Sequence, residues 1–134
     1  MRSTRTPRPD PLQYADTLGI QVTWEHLETA NGLWLPEQRM IVLKAGMDAV
    51  KERCVLAHEL AHFVLGHEES TPLNEWQADR YAATHQVARE EFLKWWPRCG
   101  SIDDLAFELG VTKKLALAYV GLMDGRSRAL QLVA

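Results

Sequence analysis

His58-Glu59-Leu60-Ala61-His62 constrains this chain more than any other stretch, because its two histidines fall four residues apart with a glutamate directly after the first. On an α-helix four residues turn through about 400°, so the imidazoles lie about 40° apart, one turn above the other, where both can reach one ion. Glu59 stands about 100° round from His58 and can reach a water beside the metal instead of the metal itself. A metal site and a base are thus offered together.

A solvated helix carrying two histidines and an acid would show the same five letters, and three features argue against it. Val55-Leu56-Ala57 precedes the motif and Phe63-Val64-Leu65 follows it, so this face belongs in a core, where neutral imidazoles need partners. Glu75 lies thirteen residues beyond His62, with Asp79 four residues further on. On a helix those carboxylates share a face, one placed to complete a zinc site and the other to hold a ligand histidine by its second nitrogen. Gly66 can end the motif helix in a left-handed cap and turn the chain back toward Glu75.

At 134 residues the chain is long enough for one domain with a core of its own. A hydrophobic content of 46% with 25% charged residues fits a soluble globular protein, and a net charge of −3 argues against general nucleic-acid binding. Arg2, Arg5 and Arg8 alternate with Pro7, Pro9 and Pro11, which predicts a flexible basic tail over residues 1–10. No run of about 18 apolar residues is present to cross a bilayer and no secretory signal opens the chain, so a cytoplasmic location without a membrane partner is expected. Cys54 and Cys99 are too few for a disulfide framework. Cys54 is one turn before His58, but three ligands at i, i+4 and i+8 span about 12 Å of helix, too far to converge, so a buried structural thiol is the reading.

The pattern predicts a helix from Pro11 to Leu18, ended by Gly19, then β-like runs at Ile20–Trp24, Leu33–Leu35 and Met40–Leu43. Pro36-Glu37-Gln38-Arg39 joins the last two, so a small antiparallel sheet is expected. Asp48 is suited to cap the motif helix, and Thr71-Pro72 to start the helix that carries Glu75 and Asp79, thinned by Ala78, Ala82 and Ala83 for close packing. Helical turns follow over Glu90–Trp96, stopped by Pro97 and Gly100. Ser101 caps a helix to Leu109, and Thr112 caps a last one to about Met123.

This last pair has the outline of a helix-turn-helix, with Lys113 and Lys114 at the start of its second helix. Two lysines face three acids, Asp103, Asp104 and Glu108, and the remainder is mostly apolar. An αα-hairpin that packs on the catalytic part, or grips a partner, is favoured over direct contact with DNA. The organisation expected is a tail (1–10), a core (11–98), a hairpin packed on it (99–125) and a C-terminal tail (126–134). The fold class is α+β, a small antiparallel sheet on an active-site helix pair with a C-terminal helical hairpin.

Zinc held by two imidazoles and one carboxylate keeps a position open for water, and Glu59 is placed to act as the base. A second oxyanion donor is less evident; Tyr81 and His85, on the Glu75 helix, are the candidates. Glu68 and Glu69 fall in the turn and read as solvated, His67 as serving the helix dipole or facing water, and His26 has no motif around it.

Val55–His62, Leu65-Gly66-His67 and Glu75–Ala83 together resemble the ImmA/IrrE family of zinc metallopeptidases. The resemblance implies a minimal zincin-like fold of the gluzincin type, with His58, His62 and Glu75 as zinc ligands, Glu59 as base and Asp79 as partner of a ligand histidine. It further implies cleavage of a helix-turn-helix repressor, relieving repression in a mobile element, a phage or a stress response. Thr84-His85-Gln86-Val87-Ala88 departs from the family pattern, which continues as an apolar run ending in proline. The short stretch after Met123 leaves no expectation of an added sensor domain. The competing function is a non-proteolytic regulatory protein that keeps the zinc fold and binds a repressor or DNA.

Overall fold

The structure, a computed structural model, describes residues 8–133, with side chains for residues 8–124. The elements run α1 (Pro11–Thr17), β1 (Gln21–Glu25), β2 (Gly32–Leu35), β3 (Met40–Lys44), α2 (Ala49–Val64), α3 (Pro72–Gln86), α4 (Arg89–Trp95), a 3-10 turn (Trp96–Arg98), α5 (Ile102–Leu109) and α6 (Lys113–Val133). This is the α+β fold anticipated from the sequence. No helix among the described residues is long and apolar enough to cross a membrane.

The strands lie in the order β1-β3-β2, with β1 parallel and β2 antiparallel to β3. The sheet is therefore mixed, which corrects the antiparallel sheet expected. The β2–β3 hairpin is present, and β1 makes the difference. Ile41, Val42 and Leu43 bury β3, and buried main-chain groups need partners on both edges. The loop over residues 26–31, at up to about 3.3 Å per residue, carries the chain past β3 so that β2 takes the far edge.

Helix α2 is the spine of the molecule. Asp48 caps it, its Oδ1 accepting from the Lys51 amide at 2.9 Å. Leu56 and Leu60 pack with Ile20, Ile41 and Leu43 on the sheet side, while Cys54 and Ala57 join Ala82, Ala83, Leu105 and Leu115 on the helical side. Each fully buried aliphatic side chain contributes about 1.5–3 kcal/mol. A helix packed on both sides is buried nearly all round, and every residue from Leu56 to His62 is buried. This is why the motif is embedded in apolar sequence. Cys54 is a buried free thiol, and burial raises its pKa, as suits a structural residue.

Gly66 (φ 74°) ends α2 in a left-handed cap, in which the Gly66 amide donates to Phe63 O at 3.1 Å and the His67 amide to His62 O at 2.8 Å. Thr71 Oγ1 caps α3 by accepting from the Asn74 amide at 3.1 Å. Ala78, Ala82 and Ala83 are wholly buried, which lets α3 lie close along α2.

The α5–α6 hairpin contributes Leu105, Leu109 and Leu115 to the same core and packs α6 on α3. Its lysines meet acids: Lys113 Nζ is 3.6 Å from Asp103 and Lys114 Nζ is 3.7 Å from Asp79. Helix α6 continues to Val133, beyond the end expected at about Met123 and into the segment assigned to a C-terminal tail (126–134). Gly121 weakens a helix by about 1 kcal/mol relative to alanine but removes no hydrogen bond, so it does not end α6.

Part of the expected basic tail is also ordered. Arg8 donates to Leu109 O at 2.9 Å and Gly110 O at 3.0 Å, at the carbonyl end of α5. Arg53 donates to Gly110 O as well and, from Nε, to Gln86 Oε1 at 3.0 Å; Gln86 Nε2 donates to Pro9 O at 3.2 Å. The rest of that tail, residues 1–7, lies outside the described residues.

Candidate metal centre

Helices α2 and α3 bring His58, His62 and Glu75 together. Glu75 Oε1 is 3.1 Å from His58 Nε2, Glu75 Oε2 is 2.8 Å from His62 Nε2, and the two Nε2 atoms are 3.1 Å apart. His58, Glu59 and His62 also form a cluster whose ligand atoms lie within 4.8 Å of one another, all three residues buried. Of the two glutamates, Glu75 is the better third ligand, since Glu59 comes no nearer His58 Nε2 than 4.0 Å. Glu59 stands one step back from the point where the other three converge.

Asp79 Oδ1 lies 2.8 Å from His58 Nδ1. A carboxylate only accepts, so His58 donates through Nδ1 and turns a bare Nε2 toward Glu75. Two imidazole nitrogens and both oxygens of one carboxylate therefore meet, a set rich in lone pairs that attracts a cation. Around a tetrahedral zinc ion with bonds of about 2.0–2.1 Å, neighbouring ligand atoms stand about 3.3 Å apart. The spacings here are slightly tighter, and the donor chemistry matches, so the residues present fit zinc.

The electrostatics follow from burial among like groups. Loss of water pushes the Glu59 carboxyl up to about 7, with nearby His58 opposing and Glu75 reinforcing the rise. Burial disfavours charge on His58, but the Asp79 hydrogen bond and the charges of Glu59, Asp79 and Glu75 lift its pKa above the usual histidine value. For His62, burial and then the charge of His58 prevail over Glu75, and its pKa is lowered. The outcome is a carboxyl able to gain or lose a proton near neutrality beside a cation site.

A cleft runs past these groups along β2. One lobe, about 160 Å³, is lined by His62, His67, Glu68 and Glu69, and the other, about 530 Å³, by Lys51, His58, Asp79 and Lys114. Gly32, Leu33, Glu59, Ser70 and Glu75 line both. β2 is an edge strand of the sheet, and two of its residues, Gly32 and Leu33, line both lobes.

Tyr81 and His85, named as candidate oxyanion donors, are elsewhere. They stack on each other at 4.6 Å, His85 stacks on Tyr14 at 5.9 Å, and all three line a small pocket against Ala57 and Leu60. Helical geometry gives the reason: Asp79 is about 40° round α3 from Glu75, whereas Tyr81 and His85 are about 240° and 280° round. His67, read as facing water or the helix dipole, is buried instead, with Nδ1 at 3.0 Å from His62 Nδ1 and Nε2 at 2.8 Å from Gln77 Oε1. The sequence signal for this was Gly66, whose cap returns the next residue onto the helix it has just left. Glu68 and Glu69 are exposed as expected, yet border the smaller lobe. His26 is exposed and lines neither lobe.

No curated protein matches this chain. A family model does, that of the peptidase M78 family, described as the IrrE N-terminal-like domain, over residues 15–119. The matched span holds all three converging side chains, Glu59 and Asp79, together with the sheet and most of the helical core that position them. With that coverage, the chain belongs to the IrrE N-terminal-like family of peptidases.

Proposed function

We propose that this protein is a zinc-dependent endopeptidase of the cytoplasm that cleaves a repressor-like regulatory protein and so relieves repression in a mobile element, a phage or a stress response. The observation that carries the reading is the meeting of His58, His62 and Glu75 at 2.8–3.1 Å beside a buried Glu59 with its pKa near neutrality. His58, His62 and Glu75 hold the ion, and Asp79 orients His58. Zinc, when bound, supplies Lewis acidity, lowering the pKa of water toward 7 and polarising a carbonyl. Glu59 takes the proton of the water that adds to the peptide carbonyl and returns it to the nitrogen as the C–N bond breaks. The edge of β2 beside the cleft supports a peptide substrate, because an extended segment can add to such an edge by main-chain hydrogen bonds while its side chains enter the two lobes.

The test is co-expression with the helix-turn-helix repressor encoded nearest its own gene, comparing wild type with Glu59→Gln. Cleavage by wild type alone is expected, with zinc retained in both. A repressor that stays intact yet forms a tight complex would favour a non-proteolytic binding protein instead. A preparation that binds no zinc would remove both the peptidase and the zinc-holding alternative.

A further inference from the structure

We propose that His67 and Gln77 are positioning residues for the metal, forming a relay that fixes which nitrogen of His62 carries its proton. The inference rests on the zinc reading above and adds two residues to it. His62 Nδ1 faces His67 Nδ1 at 3.0 Å, and His67 Nε2 faces Gln77 Oε1 at 2.8 Å. Of two nitrogens in hydrogen-bond contact one must donate, and the Gln77 carbonyl decides which. A carbonyl oxygen only accepts, so His67 carries its proton on Nε2 and offers the bare Nδ1. His62 then donates from Nδ1, which leaves the Nε2 lone pair free toward Glu75, 2.8 Å away. The opposite arrangement would put a proton on His62 Nε2, where a ligand atom must have none.

His67 takes this place for local reasons. The left-handed Gly66 brings the His67 amide onto His62 O at 2.8 Å, so residue 67 sits directly over the last turn of α2. Gln77 comes from α3, two residues from Glu75 on one side and from Asp79 on the other. Each ligand histidine is thereby oriented through its Nδ1 from a different source: His58 by a carboxylate, His62 by a neutral histidine and amide pair. A histidine and amide pair adds no further carboxylate to a site that already holds Glu59, Glu75 and Asp79.

Zinc affinity of the full chain, measured by competition with a chromophoric chelator, separates this role from packing. Gln77→Glu keeps an acceptor opposite His67 and should bind zinc within about threefold of wild type; Gln77→Met, of similar size and without an acceptor, should bind about 10- to 100-fold more weakly. A site that needed Gln77 only for packing would give the reverse order, because glutamate adds a partly buried charge. His67→Met should lose affinity on the same scale, and His67→Gln, whose carbonyl can accept from His62, should recover part of it. Long-range proton–nitrogen NMR of the zinc-loaded wild type should place the His67 proton on Nε2. Wild-type affinity in Gln77→Met, or a His67 proton on Nδ1, overturns the relay even if His67→Met fails to fold. A wild type that binds no zinc overturns the zinc reading and the relay with it, so the two failures are told apart.

Discussion

Gly32 presses against Glu59: a Cβ built on Gly32 would stand 3.1 Å from Glu59 Cγ and 2.8 Å from Val55 Cγ1. The glycine lets the edge strand of the sheet lie on the motif helix where Glu59, the proposed base, emerges. Gly32→Ala must move either the strand or the Glu59 side chain by several tenths of an ångström. Since a base acts only within hydrogen-bond reach, a displacement of that size is expected to lower kcat by about tenfold or more. Zinc affinity should stay near wild type, because the atoms nearest that Cβ belong to Val55 and Glu59 and to none of His58, His62 and Glu75. Unchanged turnover in the alanine variant would show that this contact does not position the base.

Asp79 has two neighbours of unequal weight. Its Oδ1 is 2.8 Å from His58 Nδ1 inside the site and 3.7 Å from Lys114 Nζ, and the lysine side chain is 67% exposed. An exposed ion pair contributes about 0–1 kcal/mol, whereas losing the acceptor of a ligand histidine costs about 10- to 100-fold in metal affinity. Asp79→Leu is therefore expected to weaken zinc binding by that factor, and Lys114→Met to change it by less than about threefold. Equal effects from both variants in the same chelator competition would mean that the hairpin, through Lys114, holds the site together.

Glu59 should make the metal-free protein less stable as pH rises. Its carboxyl ionises at about 4.5 in the unfolded chain and about 7 in the folded one, so between these values the folded state holds a proton that the unfolded state has lost. Stability from this group is complete below pH 4.5 and falls until the pH has passed about 7, by on the order of 3 kcal/mol for a rise from 4.5 to about 7. His58, raised above its usual value, acts in the same direction, its contribution being lost as pH rises through the folded pKa. Glu59→Gln removes the larger part. Urea unfolding of metal-free protein is expected to find the variant more stable than wild type at pH 8, with the gap closing by pH 4.5. A variant less stable at pH 8 would contradict this.

The meeting of His58, His62, Glu75 and Asp79 was legible because it obeys helical arithmetic: four residues separate His58 from His62 and Glu75 from Asp79, and each pair shares a face. The same arithmetic removes Tyr81 and His85 from the cleft, once Glu75 is taken as the reference direction on α3. His67 and Gln77 were less legible because their meeting depends on the angle at which two helices pack, which no single helix encodes. The place of β1 was hidden for a similar reason. Strand pairing across a six-residue loop is decided by which strand is most buried, and a hairpin with a four-residue turn gives no hint that a third strand will join from the other side.

Arg53 shows how polar groups secure the far side of the motif helix. It lies about 140° round α2 from His58 and donates to Gln86 Oε1 and Gly110 O, tying α2 to the ends of α3 and α5. Gln86 is 2% exposed, so removal of its partner leaves a buried acceptor without a donor. Hydrogen bonds from a charged donor contribute about 1.5–3 kcal/mol, and Arg53→Leu is expected to lose a stability of that order. Hydrogen exchange should quicken first around residues 8–10, which Gln86 and Arg8 hold to the same cluster. Zinc affinity should be unaltered, because the network approaches the helix from the side away from the ligands. Loss of zinc binding alongside the lost stability would mean that the clamp and the metal centre unfold as one unit.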